Sequence, residues 1–358
     1  MGGAERVASL LCNFWAERGH EVGVITFERG GTAPAYSLSS EVTLRYIDAL
    51  NLSQNPLSRL ATNARRLSRL RSLFKELKPD VIVSFTTEAN VVALWSAIGL
   101  GVPVVVSERN QPDRPSLGRL RRLARRISYP LAAALVVQSE AVAGWAQSRF
   151  RVPVHILPNP VQLERWQASP EVRTRGKRLV AAGRLVPQKG FDLLIESFAR
   201  LKDKHPEWTL AIFGEGAERA ALEAQIVRLS LLGRVTLPGA TGDLAGALGH
   251  ADLFVLPSRY EGFPNVLIEA LAAGKAVVAT DCPGATRQIL GGGRYGVLAE
   301  AESVESLEEA LDQMMSDEAS RTQFAHRARE AVAELDIEAV GGRWLSLLSE
   351  VQRGSNRA

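Results

Sequence analysis

The chain has 358 residues, 46% apolar and 23% charged, the balance of a soluble globular protein but too long for one ordinary core, so two domains of roughly 150 to 180 residues are expected. Residues 1–160 hold 20 Lys and Arg against 12 Asp and Glu, a net +8, and the remainder holds 23 against 27, a net −4, so the basicity belongs to the first half. No apolar run approaches the roughly 18 to 20 residues that span a bilayer, the opening MGGAERVASLLCNFWAERGHE is amphipathic and acid-containing rather than a signal peptide, and Cys12 and Cys282 lack metal-ligand spacing; a cytoplasmic protein without disulfide framework or zinc site is expected.

In chain order, short apolar runs alternate with helix-length segments. EVGVITF, DVIVSF, VPVVVSE and AALVVQS read as strands of the first half. Between the last two lies SLGRLRRLARRISYPLAA, where Leu117, Leu120, Leu123, Ile127 and Leu131 recur at helical spacing among Arg119, Arg121, Arg122, Arg125 and Arg126. This predicts a basic amphipathic helix over 117–131. It is either an ordinary surface helix with its arginines solvated or a site that meets anionic lipid through Arg121, Arg122, Arg125 and Arg126. Nucleic acid is not expected, because no aromatic interleaving or known binding module accompanies the arginines.

PNPVQLERWQASPEVRTRGK, residues 158–177, is polar and β-poor and sets the domain boundary, leaving domains over 1–160 and 171–335. The second half continues with KRLVAAG, WTLAIFG, RVTLPG, ADLFVLP and KAVVAT. Uniformly apolar strands separated by helices indicate parallel sheets covered on both faces, so each half reads as a Rossmann-like α/β domain. The tail 336–358 begins with helical spacing and could pack on either domain.

Open parallel sheets bind ligands beyond the carboxyl ends of their strands. In the second half those positions carry GRLVPQKG, GEGAER, PGATGD and SRYEGFPN. Their glycines let backbone amides approach a ligand, Arg184 and Lys189 supply positive charge, and a helix opening near Pro264 points its positive end the same way, which together describe a diphosphate site. Further along, Glu269 stands among Val, Leu, Ile and Ala, where a carboxylate is costly without a partner.

The combination GRLVPQKG, FGEGAER and SRYEGFPNVLIEALAAGKAVVATDCPG resembles the family 4 retaining glycosyltransferases, with Glu261 and Glu269 separated by seven residues as its most specific element. The resemblance implies the GT-B fold, two Rossmann-like doubly wound parallel-sheet domains facing across a cleft. It also implies that Glu261 contacts hydroxyls of the donor sugar, that Glu269 holds the nucleotide ribose, and that Arg184 and Lys189 neutralise the donor diphosphate. Gly2, Gly3, Glu215, Phe263, Asn265 and Val266 complete the expected donor site.

Bond cleavage leaves a nucleoside diphosphate, so the largest requirement is stabilising charge on departing phosphate oxygens by Arg184, Lys189 and backbone amides around Phe263, Asn265 and Val266. No Asp-x-Asp occurs, and the cationic pair is expected to make metal and cofactor unnecessary. The chain departs from the family twice. After VPVVVS it reads SERNQPDRP where many relatives have a histidine, so Arg109 and Asn110 are the acceptor-side candidates. Relatives also place an apolar strand before the glycine pair at which this chain starts, so a central strand is expected to be missing from the first sheet.

The expected activity is retaining transfer of a hexose or N-acetylhexosamine, from a UDP-sugar in preference to GDP-mannose, to a saccharide or lipid-linked saccharide. A nucleotide-sugar epimerase of the same fold and a non-catalytic nucleotide-sugar binding protein are the alternatives.

Overall fold

A computed structural model describes residues 3–28, 34, 36–48, 56–109, 118–166 and 177–355. The chain divides into two compact units, Met1–Pro160 with Ile337–Ala358, and Val161–Asp336. Among the described residues, no helix is long and apolar enough to cross a membrane.

The first unit runs α1 (Gly3–Ala16), β1 (Val22–Thr26), β2 (Val42–Tyr46), α2 (Pro56–Leu77), β3 (Ile82–Phe85), α3 (Thr87–Ala97), β4 (Val104–Ser107), α4 (Arg119–Ser128), β5 (Ala134–Val137), α5 (Glu140–Gln147) and β6 (Val154–Ile156). All its strand pairs are parallel, in two separate sheets: β1 with β2, and β3-β4-β5-β6. Strand alternation sorts the side chains into two layers. Val104, Val106, Leu135 and Val137 join Leu70, Phe74, Leu94 and Trp145 on one face. Val105, Ala134 and Val136 join Val7, Leu11, Phe14 and Trp15 on the other.

The second unit runs β7 (Lys177–Ala182), α6 (Phe191–Leu201), β8 (Trp208–Phe213), α7 (Arg219–Arg228), β9 (Val235–Gly239), α8 (Leu244–Gly249), β10 (Leu253–Leu256), α9 (Asn265–Ala272), β11 (Ala276–Asp281), α10 (Thr286–Ile289), β12 (Val297–Glu300), α11 (Val304–Ser316) and α12 (Glu318–Arg327). Its parallel sheet has the order β12-β11-β10-β7-β8-β9. The order reverses beside β7, whose neighbours are β10 and β8, and such a switch point is where an open sheet parts its loops to admit a ligand. Again the strands split their residues between two cores, Leu253 and Val255 to one and Phe254 and Leu256 to the other.

Three strands are absent from the sequence reading: β2, β6 and β12. Each is short and lies at a sheet edge, and their burial alternates or fades rather than filling both faces. The last helix, α13 (Ile337–Ser355), packs in the first unit. Its Trp344 meets Trp15 of α1 edge-on at 6.1 Å, and a Cβ at Gly341 would sit 2.4 Å from the Phe14 ring, so only glycine permits this approach. Arg18 and Glu338 form an ion pair at the same seam.

The arginine helix corrects its expectation. α4 turns Arg125 inward, 4% exposed, against Glu108 and over the Trp145 ring, and turns Leu120, Leu123 and Ile127 outward. Arg125 therefore cannot meet a membrane. The buried carboxylate of Glu108 decides the rotation, because leaving it without an opposite charge costs more than exposing leucines. Arg121, on the flank, pairs with Glu88 at 2.8 Å, while Arg122 and Arg126 are exposed.

Candidate donor-sugar site

Four loops of the second unit leave the carboxyl ends of β7, β8, β9 and β10, and backbone hydrogen bonds fasten them together. Gly183 N–H donates to Phe213 O, Leu185 N–H to Glu215 O and Glu218 N–H to Leu185 O, each at 2.9 Å. Gly214 N–H donates to Gly239 O at 2.9 Å, and Arg259 N–H to Gln188 O at 2.9 Å. These contacts leave no room for larger residues: Gly214 has φ 152°, and a Cβ there would lie 1.8 Å from Gly183 O.

The β7 loop ends in a one-turn helix, Pro187–Lys189, whose C-cap Gly190 has φ 65° and would place a Cβ 2.0 Å from Pro257 O. That close approach brings Lys189 to the β10 loop. Lys189 Nζ donates to Glu261 Oε1 at 2.6 Å, and Ser258 Oγ donates to the same oxygen at 2.6 Å. Glu261 is buried and the Lys189 side chain is 13% exposed. The loop is braced further by Arg259, which grips Asp192 of α6 through two bonds of 2.8 and 2.7 Å. Burial pushes the Asp192 carboxyl up, but the Arg259 guanidinium more than offsets it and holds its pKa below the ordinary value.

The remaining residues predicted for the site fall on the same edge of the sheet, in the first unit, or outside what is described. Phe263, Asn265 and Val266 are partly buried where the loop becomes α9, and Glu269 sits one turn on, 2% exposed. Arg184 is exposed and, among the described residues, makes no hydrogen bond or ion pair to protein through its side chain. Glu215 is half-exposed and held by Arg219 at 2.8 and 2.7 Å, which lowers its pKa. Gly3 opens α1 in the other unit, and Gly2 and Asn110 lie outside the described residues.

Arg109 belongs to the first unit. Its Nη1 donates to Asn159 and its guanidinium lies 4.9 Å from the Phe85 ring, while Nε and Nη2 are buried with no hydrogen-bond partner among the described residues. Burial pulls its pKa down to about 9, which leaves it charged at neutral pH.

Two features escaped the sequence reading. The Lys189–Glu261 pair joins residues 72 apart in the chain, and only the adjacency of β7 and β10 reveals it. The polar cluster behind Arg109 is the other: Thr87 Oγ1 donates to Glu108 at 3.0 Å and Tyr129 OH donates to it at 2.7 Å, while Asn90 Nδ2 donates to Tyr129 OH at 2.9 Å. A lone glutamate after a strand gave no signal of it.

Two units built on parallel sheets, the second with its loops gathered at a switch point, have the architecture of a GT-B glycosyltransferase. The chain belongs to the family 4 glycosyltransferases: the model "Glycosyltransferase Family 4" matches residues 1–165 and "Glycosyl transferases group 1" matches residues 163–331. It is 29% identical to "Exopolysaccharide phosphotransferase SCO2592" of Streptomyces coelicolor over 98% of this chain, and spans 40% of that protein. It is 26% identical, over 98% of this chain and 96% of the other, to a Campylobacter jejuni enzyme named "GalNAc-alpha-(1->4)-GalNAc-alpha-(1->3)-diNAcBac-PP-undecaprenol alpha-1,4-N-acetyl-D-galactosaminyltransferase". Among solved structures, Anabaena Alr3699/HepE in complex with UDP and glucose shares the fold with a TM-score of 0.80 at 22% identity, over 97% of this chain and 96% of that one. The chain is thus an enzyme that transfers glycosyl groups.

Proposed function

We propose that the enzyme moves a hexose or N-acetylhexosamine from a UDP-sugar, with retention of anomeric configuration, onto a lipid-linked saccharide. The observation that carries this is the buried Lys189–Glu261 pair at the switch point, with Glu269 buried one turn into α9. In this reading Glu261 receives sugar hydroxyls, and Lys189 and Arg184 meet the diphosphate as charge grows on its departing oxygens. A donor phosphate oxygen accepts the proton of the attacking hydroxyl. Arg109, whose Nε and Nη2 are buried without a hydrogen-bond partner among the described residues, is the acceptor-side residue in this reading. Support for UDP comes from the UDP complex of the Anabaena structure, and support for the acceptor from the undecaprenol diphosphate saccharide in the Campylobacter enzyme's name.

The deciding experiment is a thermal-shift panel of UDP- and GDP-sugars followed by turnover with membrane lipid extracts, the anomeric configuration of the product being read by NMR. A transferred sugar with the donor's configuration supports the reading. An isomerised donor or free UDP without product favours an epimerase, and donor binding without turnover on any acceptor favours a binding protein.

Glu269→Ala is expected to weaken UDP binding by about 1 to 3 kcal/mol, the worth of hydrogen bonds between a carboxylate and the ribose hydroxyls. Calorimetry on free UDP measures it, and an unchanged affinity removes Glu269 from the site. EDTA is expected to leave turnover intact, since Arg184 and Lys189 take the role a divalent ion has elsewhere. Loss of activity on chelation, restored by magnesium or manganese, sinks the phosphate assignment.

A further inference from the structure

The rotation of α4 leaves a line of apolar side chains in water. Leu120 is 83% exposed, Leu123 54% and Ile127 54%, and the turn that follows the helix adds Leu131 at 50%. At about 100° per residue the first three fall within roughly 60° of one another on the helix surface. Exposed leucines scattered singly need no explanation, but a continuous stripe does.

The helix is not free to roll and bury them. Its inner face is fixed by the Arg125–Glu108 pair, by Tyr129 OH on the same carboxylate, and by Ser128, which accepts a 2.9 Å hydrogen bond from the Trp95 indole of α3. Beside the stripe stand Arg119, Arg122 and Arg126, all exposed. Between Gly118 and Leu131 there is no Asp or Glu, so whatever covers the stripe must bring negative charge along one side of an apolar strip. A second copy of the chain fits poorly, because a two-fold contact through α4 would set these arginines against their own equivalents. An anionic bilayer supplies both parts, with phosphates at the depth of guanidinium groups and acyl chains just below.

We propose that α4 and the following turn form an interfacial membrane anchor, in which Leu120, Leu123, Ile127 and Leu131 enter the boundary between headgroups and acyl chains while Arg119, Arg122 and Arg126 hold lipid phosphates. This deepens the proposed function, on which it rests for a membrane-borne acceptor. The anchor differs from a purely electrostatic one in its dependence on the leucines, with the charges setting lipid preference.

The test is co-sedimentation of the full chain with vesicles of phosphatidylglycerol and phosphatidylcholine, and with phosphatidylcholine alone. Binding to the anionic vesicles at low salt is expected, reduced by high salt. Leu120→Gln/Leu123→Gln/Ile127→Gln, which keeps every arginine, is expected to lower the partition at least about tenfold, as an interfacial helix stripped of apolar area should. Arg119→Gln/Arg122→Gln/Arg126→Gln is expected to abolish the preference for phosphatidylglycerol. None of these residues lies at the donor site, so UDP affinity by calorimetry should match the wild type in both variants.

A wild type that ignores anionic vesicles, or a leucine variant that binds as the wild type does, overturns the anchor. So does a wild type that sediments as a dimer, ignores vesicles and becomes monomeric on the leucine substitutions, which assigns the stripe to a contact between copies. Vesicle binding without any affinity for UDP-sugars leaves the anchor standing and sinks the donor assignment instead.

Discussion

Lys189→Ala is expected to cost about 100- to 1000-fold in turnover, the usual loss when one preorganised donor to a developing anion is removed. Donor affinity should fall much less if, as proposed, Lys189 faces charge that grows only as the bond to the sugar breaks. The structure adds a second effect. Lys189 holds Glu261 at 2.6 Å in a buried setting, so its removal strands a carboxylate and should destabilise the second unit by about 3 to 5 kcal/mol. Thermal unfolding would then fall by roughly 6 to 20 °C.

The two effects can be separated. Lys189→Ala/Glu261→Gln removes the orphaned charge and should recover most of the stability without recovering turnover, a coupling that a double-mutant cycle measures directly. Arg184→Ala supplies the contrast: the side chain is exposed, so turnover should drop while the melting temperature holds. If Lys189→Ala lowers affinity and turnover equally, the lysine only binds.

The second large effect is expected at Arg125→Gln. The guanidinium lies 3.6 Å from Glu108, which is fully buried and also receives Tyr129 and Thr87, and it covers the Trp145 ring at 4.5 Å. Removing one partner of such a pair leaves the other charged and dry, for about 3 to 5 kcal/mol of lost stability. Arg122→Gln, three residues earlier and exposed, should change stability by no more than about 0.5 kcal/mol. Urea unfolding of the two variants side by side gives the comparison, and equal midpoints would refute the buried network.

This pair of arginines also shows where sequence reading stops. Apolar spacing correctly gives a helix around 117–131, yet both readings it offers, arginines solvated or arginines on anionic lipid, leave Arg125 at the surface, whereas the structure buries it. The exception was decided by Glu108, which is distant in sequence and meets the helix only after β4 and α4 pack. The loops of the candidate donor site were more legible, because glycine loops after apolar strands have local signatures and their strand order makes them neighbours. The apolar runs of β4, β5 and β10 were readable for the same reason, being buried on both faces, while the edge strands β2, β6 and β12 carry little hydrophobic contrast. What the loops could not disclose was that Lys189 and Glu261 hold one another, since a contact across 72 residues exists only in three dimensions.

The return of α13 to the first unit makes residues 161–336 an uninterrupted insertion within it. A chain made from its amino end has every residue of the second unit available before α13 is synthesised. The half begun first is therefore completed last. Until Gly341 and Trp344 arrive, Phe14 and Trp15 lack the partners that cover them. A nascent or truncated chain ending before Ile337 presents that aromatic seam to water, where chaperones and proteases would recognise it as unfinished.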